Sequence, residues 1–276
     1  MGRDLTRPEP SALRRRVLSG LVLAPLPIAA VWFGSPWLPL LTALAACVMA
    51  WEWRLLCGGG RFGPVGGAFV GVVLAAVAAA AANTFNLAFA VAVAGAAVVF
   101  AFARARRDAE PKWLAAGVLW LALPCICLLW LAHPQNGGRA TLLWLLAVVW
   151  ATDIGAYAAG RTFGGPRLAP RWSPRKTWAG LVGGIVCAGI AGGATAGWLG
   201  MSPTFPLAAL SAALAIVEQF GDVAESLAKR RFGVKDSSNL IPGHGGLLDR
   251  LDGFLAVVPA VALLTAIGGR SVLAWR

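Results

Sequence analysis

Long apolar stretches alternate with short polar segments along the chain. A helix needs about 20 apolar residues to cross the hydrocarbon core of a bilayer. Nine stretches approach that length, near residues 17–35, 37–56, 65–82, 84–103, 113–132, 140–160, 178–200, 204–228 and 253–269. Only a short turn at Asn83 separates the third from the fourth. The pattern predicts an all-α, polytopic transmembrane protein with about nine spans.

The composition supports this fold class. Of the 276 residues, 58% are hydrophobic and 13% are charged, and the mean hydropathy is +0.72. Soluble domains carry about 25% charged residues. The chain therefore has too few charges to cover a water-exposed surface, which excludes an ordinary soluble enzyme and a disordered protein.

The basic residues predict an orientation. The chain has 24 Lys and Arg against 12 Asp and Glu, a net charge of +12. A soluble protein with this excess would suggest nucleic acid as a partner, but here the excess follows the loops. With a cytoplasmic N-terminus, only Arg139, Arg270 and Arg276 fall outside the cytoplasmic segments. Because cytoplasmic loops are enriched in Lys and Arg, we predict a multi-pass protein of the cytoplasmic (inner) membrane, with its C-terminus on the opposite side and no nucleic-acid partner.

The same alternation divides the chain into regions. We predict a basic cytoplasmic segment over 1–16, N-terminal transmembrane helices over 17–138 and a C-terminal transmembrane region over 139–276, which contains the candidate site residues described below. Two long polar loops of this last region, 161–177 and 229–252, would both face the cytoplasm.

Carboxylates inside apolar stretches are costly and are therefore candidate functional groups. Glu218, Asp222 and Glu225 are spaced to share one face of the eighth span. Interhelical salt bridges to basic loop residues are the structural alternative. For Asp153, in the sixth span, a site role and a structural role are equally open. Glu52, two residues before Arg54, favours a local structural pairing.

The second polar loop combines basic, glycine-rich and acidic segments. It contains Lys229-Arg230-Arg231, Lys235-Asp236, Pro242-Gly243-His244-Gly245-Gly246 and Asp249-Arg250-Leu251-Asp252. Glycines let backbone N–H groups approach an anion, and oxygen ligands suit Mg²⁺. The loop is thus a candidate metal–polyphosphate site. Alternatively, His244 only bonds backbone carbonyls, and the arginines of 161–177 only set the topology.

The 27 residues from Ser226 to Asp252 resemble the C-terminal motif of the phosphatidate cytidylyltransferase (CDP-diacylglycerol synthase) family. Three upstream segments are also similar to motifs of that family: Asp153-x3-Tyr157-x2-Gly160-Arg161, Ser173-Pro174-x-Lys176-Thr177-Trp178-x-Gly180 and Gly221-Asp222-x2-Glu225-Ser226. The first half of the chain matches only in hydropathy. Ala228 replaces a larger apolar residue, and Ala179 replaces a glutamate that commonly follows the tryptophan.

The resemblance implies transfer of CMP from CTP to phosphatidate, which gives CDP-diacylglycerol and pyrophosphate. It implies Mg²⁺, held by Asp222 and Asp249, allows a second monovalent cation such as K⁺, and suggests a homodimer. The catalytic set that it implies is Asp222, Asp249, Lys229, Lys235, Asp236, His244 and Arg250. The substrate-binding set is Asp153, Tyr157, Arg161, Ser173, Lys176, Thr177, Glu225, Ser226, Arg230, Gly243, Gly245, Gly246 and Asp252.

Two other functions stay open from the residues alone. A transporter or channel could use Asp153, Glu218 and Asp222 as ion sites within the membrane. Another lipid-phosphate enzyme, such as a polyprenol kinase, could use a related scaffold. Neither a channel nor a transporter accounts for the clustered Lys and Arg beside the glycine-rich segment.

Overall fold

The computed structural model describes residues 23–241 and 245–274, which form nine α-helices. Eight of these helices are long and apolar enough to cross a membrane. The helices are α1 (Pro25–Phe33), α2 (Trp37–Cys57), α3 (Gly63–Ala81), α4 (Phe85–Ala105), α5 (Pro111–Ala132), α6 (Gly138–Thr162), α7 (Trp178–Trp198), α8 (Phe205–Arg231) and α9 (Leu248–Gly268). The protein is thus a helical, multi-pass membrane protein, as predicted.

Helices α2 to α9 correspond one to one to the second to ninth predicted spans. The turn at Asn83 separates α3 from α4, and Asn83 has a left-handed φ of 60°. The structure describes the first predicted span, 17–35, only from residue 23 onward. The helix α1, with nine residues, lies within this described part. Short 3₁₀ turns at Pro134–Asn136 and Val272–Ala274 complete the helical elements.

The polar loop 161–177 contains a β-hairpin that the predicted all-α fold does not include. Strand β1 (Arg167–Ala169) pairs antiparallel with β2 (Ser173–Thr177). The Thr177 hydroxyl accepts a hydrogen bond of 3.0 Å from the Gly180 amide, which caps the N-terminus of α7. This cap fixes the junction between the hairpin and the next span.

One end of the helix bundle carries the loops with most of the basic residues. We call this end the basic face; it comprises the loops 58–62, 106–110 and 163–177 and the described parts, 232–241 and 245–247, of the loop between α8 and α9. Arg54 Nη2 lies 2.9 Å from Asp108 Oδ2, and Arg231 Nη2 lies 3.2 Å from Glu110 Oε1. These ion pairs tie the loop between α4 and α5 to the ends of α2 and α8. The loops predicted to share one side of the membrane therefore share one face.

The opposite face collects the remaining described connections. The hydroxyls of Thr141 and Ser271 are 3.1 Å apart. The guanidinium of Arg139 lies 4.9 Å from the centre of the Trp32 ring. The end of α9 therefore lies opposite the basic face, in agreement with the predicted alternation of the spans.

Candidate active site

Helices α8 and α9 cross with their backbones in close contact. A Cβ atom at Gly221 of α8 would lie 2.9 Å from the backbone oxygen of Asp252. A Cβ atom at Gly253 of α9 would lie 3.3 Å from Cδ of Glu218. Small residues at a membrane helix crossing permit this approach. The crossing places Glu218 and Asp222 of α8 beside Asp252 of α9.

Four carboxylates from three helices meet at this crossing, and we call them the carboxylate cluster: Asp153, Glu218, Asp222 and Asp252. Asp153 and Glu218 are close enough for each carboxyl group to affect the charge of the other. Asp222 lies close to both Asp153 and Asp252. Glu218 is buried, and its Oε2 atom has no hydrogen-bond partner among the described residues. Because like charges repel at this range, the cluster favours a bound cation.

Two cationic side chains border the carboxylate cluster. Lys176, from strand β2, places its Nζ atom 2.5 Å from Asp222 Oδ2. Arg250, in the first turn of α9, lies near enough to Asp153 to interact with its charge. The hairpin, α6, α8 and α9 therefore all contribute charged groups to one place, within the spans at the end near the basic face.

A second group of charges surrounds the buried ammonium of Lys229. Its Nζ atom lies 2.6 Å from Asp249 Oδ1 and 2.9 Å from Glu225 Oε1. Asp249 Oδ2 also accepts hydrogen bonds from the Ser237 amide at 2.9 Å, the Ser237 hydroxyl at 3.0 Å and the Gly246 amide at 2.8 Å. Asp249 therefore joins α8, the loop 232–247 and the start of α9.

The donor set of the carboxylate cluster fits Mg²⁺, which prefers oxygen ligands and keeps several water molecules. No three Asp, Glu, His or Cys side chains in 23–241 and 245–274 form a ready-made metal site. Water and substrate oxygens would therefore complete the coordination. Both oxygens of Asp249 are engaged by protein groups, whereas Asp222 faces Asp153 and Asp252. Shared binding of one Mg²⁺ by Asp222 and Asp249 stays a prediction.

The sequence is similar to proteins of one known family. The model of the cytidylyltransferase family matches residues 14–267. The chain belongs to the cytidylyltransferase family. It is 34% identical over 267 residues to the phosphatidate cytidylyltransferase of Pseudomonas aeruginosa, across 93% of this chain and 98% of that protein. The family that the motifs indicated is confirmed.

Other relatives match over a shorter segment. The chain is 47% identical over 156 residues to the phosphatidate cytidylyltransferase of Brucella suis, across 56% of this chain and 57% of that protein. For the phosphatidate cytidylyltransferase of Haemophilus influenzae the identity is 42% over 149 residues, across 52% of this chain and 50% of that protein. Against these two relatives the match spans about half of their length.

The cytidylyltransferase match also corrects the expectation that the first half of the chain agrees only in hydropathy. The family model begins at residue 14 and therefore includes α1 to α5. The Pseudomonas aeruginosa relative likewise aligns with nearly the whole chain. The N-terminal helices are thus part of the family fold.

Several predicted site residues lie around the edge of this site. Lys235, Asp236 and Arg250 are exposed, and Ser173 and Ser226 are half-buried. The Arg161 guanidinium donates to the Tyr157 hydroxyl at 3.4 Å, and Arg230 Nη1 donates to the Val234 carbonyl at 3.1 Å. Thr177 caps α7, as described above. Gly243 and His244 lie outside the described residues.

The two described glycines of the glycine-rich segment occupy special positions. Gly245 has a φ of 85°, in the left-handed region that favours glycine. A Cβ atom at Gly246 would lie 2.5 Å from Glu52 Oε1 and still closer to the Ser237 hydroxyl. The Gly246 amide donates to Asp249, so in this structure that amide stabilises the loop.

The contacts of Glu52 with the loop between α8 and α9 and with the start of α9 were not indicated by the sequence. Its expected pairing with Arg54 is wrong, because Arg54 pairs with Asp108 and donates to the Phe62 carbonyl. The Glu52 carboxylate instead accepts from Ser238 and from the backbone at the start of α9. Its one sequence signal was a carboxylate within an apolar helix.

Proposed function

We propose that this protein is a phosphatidate cytidylyltransferase. The observation that carries the proposal is the carboxylate cluster beside Lys176 and Arg250, placed within the spans next to the basic face. The reaction requires that a lipid phosphate and a soluble nucleotide both reach that depth. The Pseudomonas aeruginosa relative, which aligns over nearly its full length, supports the proposal.

The reaction sets the demands on the site. An oxygen of the phosphatidate phosphate attacks the α-phosphorus of CTP. A new P–O bond forms there, the bond between the α-phosphorus and the oxygen bridging to the β-phosphorus breaks, and pyrophosphate leaves. The attacking phosphate oxygen is already ionised near neutral pH, so no general base is needed. The protein contributes chiefly by positioning the substrates and neutralising charge.

We assign the metal-binding role to the carboxylate cluster, with Asp222 as its central residue and Asp153 and Asp252 as the adjacent oxygen donors. Mg²⁺, when bound, would neutralise charge on the triphosphate. The like charges and the unpartnered Glu218 oxygen support this assignment. A second monovalent cation such as K⁺ belongs to the same proposal, and it rests on the family resemblance alone.

The basic residues divide into two roles in this proposal. Lys235 and Arg250 are exposed and able to contact phosphate groups of the substrates. Lys176 balances Asp222 and would approach the reacting phosphates from the hairpin. Lys229 is already neutralised by Glu225 and Asp249, so we assign it to joining α8 and α9.

We further propose that the basic face is cytoplasmic, in the inner membrane, with the N-terminus on the same side and the C-terminus opposite. The distribution of Lys and Arg among the loops supports this orientation. A homodimer is proposed from the family resemblance. Crosslinking of the purified protein in lipid nanodiscs would measure its oligomeric state.

The activity is tested with membranes from cells that express the full chain and from cells with an empty vector. Labelled CTP is supplied with Mg²⁺ and phosphatidate, and the lipid product is separated from pyrophosphate. We expect label from the cytidine moiety in CDP-diacylglycerol. Transfer of label from the γ-phosphate of CTP to a polyprenol would indicate a kinase. The absence of any CTP-dependent lipid product would contradict the proposal.

A further inference from the structure

Glu52 is a fully buried carboxylate near the end of α2 that meets the basic face. Its residue exposure is 0%, and its Oε1 atom accepts hydrogen bonds of 2.6 Å from the Ser238 hydroxyl and 2.9 Å from the Leu247 amide. Its Oε2 atom accepts a third, of 2.7 Å, from the Leu248 amide. A buried carboxylate is costly unless such partners satisfy it.

These hydrogen bonds lie at the N-terminus of α9. The first amides of a helix have no partner within the helix, and the helix dipole favours a negative charge there. The residue before α9, Leu247, provides no side-chain cap. Glu52, from a helix almost 200 residues earlier, supplies the missing acceptor. No described cation neutralises it, because Arg54 pairs with Asp108.

The same contacts hold the loop between α8 and α9. Asp249 binds Ser237 and Gly246, and Glu52 binds the adjacent Ser238 and Leu247. The backbone of Gly246 passes between the two carboxylates, where a Cβ atom would collide with Glu52. The loop is therefore fixed from two directions by acidic groups of different halves of the chain.

We propose that Glu52 is a positioning residue of the transferase site. By fixing the first turn of α9, it sets the position of Arg250 and Asp252, which are two and four residues beyond Leu248. The effect on catalysis rests on the proposed function; the effect on the loop does not. Glu52 itself is buried and acts through the loop and the helix.

The test compares Glu52→Ala and Glu52→Gln with the parent, as full chains purified in detergent. We expect kcat for CDP-diacylglycerol formation to fall about tenfold to a hundredfold in Glu52→Ala. Glu52→Gln keeps one acceptor oxygen and should show a smaller loss. Hydrogen exchange of the Leu247 and Leu248 amides should be faster in both variants.

Asp108→Asn is the matched control. It breaks the ion pair between Asp108 and Arg54, which is two residues from Glu52, and it makes no change in the loop between α8 and α9. It should lower the melting temperature and leave kcat and the exchange of the Leu248 amide close to the parent. If Glu52→Ala does not insert, Ser238→Ala and its combination with Glu52→Gln replace it. The double variant should lose little more activity than the more impaired single variant.

Parental kcat and parental exchange in folded Glu52→Gln and Ser238→Ala would overturn the inference. A variant that only melts earlier, with unchanged kcat, would also overturn it, because Glu52 would then contribute stability alone. A parent without transferase activity would contradict the proposed function, and the exchange measurement would still decide whether Glu52 holds the start of α9.

Discussion

Lys176 and Asp222 form the ion pair that joins the β-hairpin to the carboxylate cluster, with 2.5 Å between Nζ and Oδ2. Lys176 lies in strand β2 of the long polar loop after α6, and Asp222 lies within α8. Their contact places a cation next to the group that we assign to Mg²⁺. It also explains why a motif on the hairpin and a motif on α8 belong to one site.

Asp222→Asn should abolish most of the activity. The substitution keeps the size of the side chain but removes the negative charge that binds a hard dication. We expect kcat to fall about a hundredfold to a thousandfold in the CDP-diacylglycerol assay, with normal membrane insertion. Asp4→Asn, in the predicted N-terminal segment, should be silent. An Asp222→Asn enzyme with near-parental activity would refute the assignment.

Asp252→Asn and Asp249→Asn should differ in their dependence on Mg²⁺. Asp252 faces Asp222, so its loss should raise the Mg²⁺ concentration needed for half-maximal activity. Asp249 holds Lys229 and Ser237, so its loss should lower the melting temperature by separating α8 from α9. Magnesium titrations and thermal unfolding of both variants measure the two effects. If Asp249→Asn gives the larger rise in the Mg²⁺ requirement, Asp222 and Asp249 share the ion, as the family resemblance implies.

Lys235→Ala and Arg250→Ala should weaken substrate binding or turnover without affecting insertion. Both side chains are exposed on the basic face. A charge-assisted phosphate contact is worth about tenfold to a hundredfold in an equilibrium or rate. Steady-state kinetics with CTP and phosphatidate measure the loss. Arg107→Ala, in a different loop of the same face, is the control, and an equal loss there would indicate a purely topological role.

Gly246→Ala should destabilise the loop, because the added methyl group has no room beside Glu52 and Ser237. Overpacking of this kind costs about 1–3 kcal/mol. We expect a lower melting temperature and reduced CDP-diacylglycerol formation. Gly67→Ala is the matched control, because a Cβ atom there meets no atom within 4 Å. Equal melting temperatures of the two variants would argue against a tightly packed loop.

Cysteine labelling tests the orientation. In a cysteine-free background, Asn239→Cys on the basic face and Arg270→Cys on the opposite face should react with an impermeant thiol reagent from opposite sides of the membrane. Asn239→Cys should react from the cytoplasmic side. Labelling of both from one side would contradict the arrangement of the spans.

The spans and the charged motifs were predictable because both are local properties of the sequence. Hydropathy places α2 to α9 within a few residues, and the spacing of Glu218, Asp222 and Glu225 follows from helix geometry alone. The partners of the charged groups were not predictable in the same way. Arg54 lies two residues from Glu52, yet it binds Asp108, because the two side chains face different neighbours of α2. The choice depends on how distant helices pack.

The hairpin illustrates a second reason. Its strands have three and five residues, and they consist largely of polar residues and proline. Such a segment shows no clear alternation of apolar and polar positions. Only the structure shows that it folds back and brings Lys176 to Asp222.

The hydrogen bonds between Glu52 and the Leu247 and Leu248 amides can form only late in the synthesis of the chain. Glu52 and Leu248 are separated by 196 residues, so the ribosome completes α2 long before it begins α9. During that interval the Glu52 carboxylate lacks the backbone amides that bind it in the complete protein. The candidate site is therefore complete only when α9 is inserted, and a chain that stops before α9 would leave Glu52 without the Leu248 amide that its Oε2 atom binds.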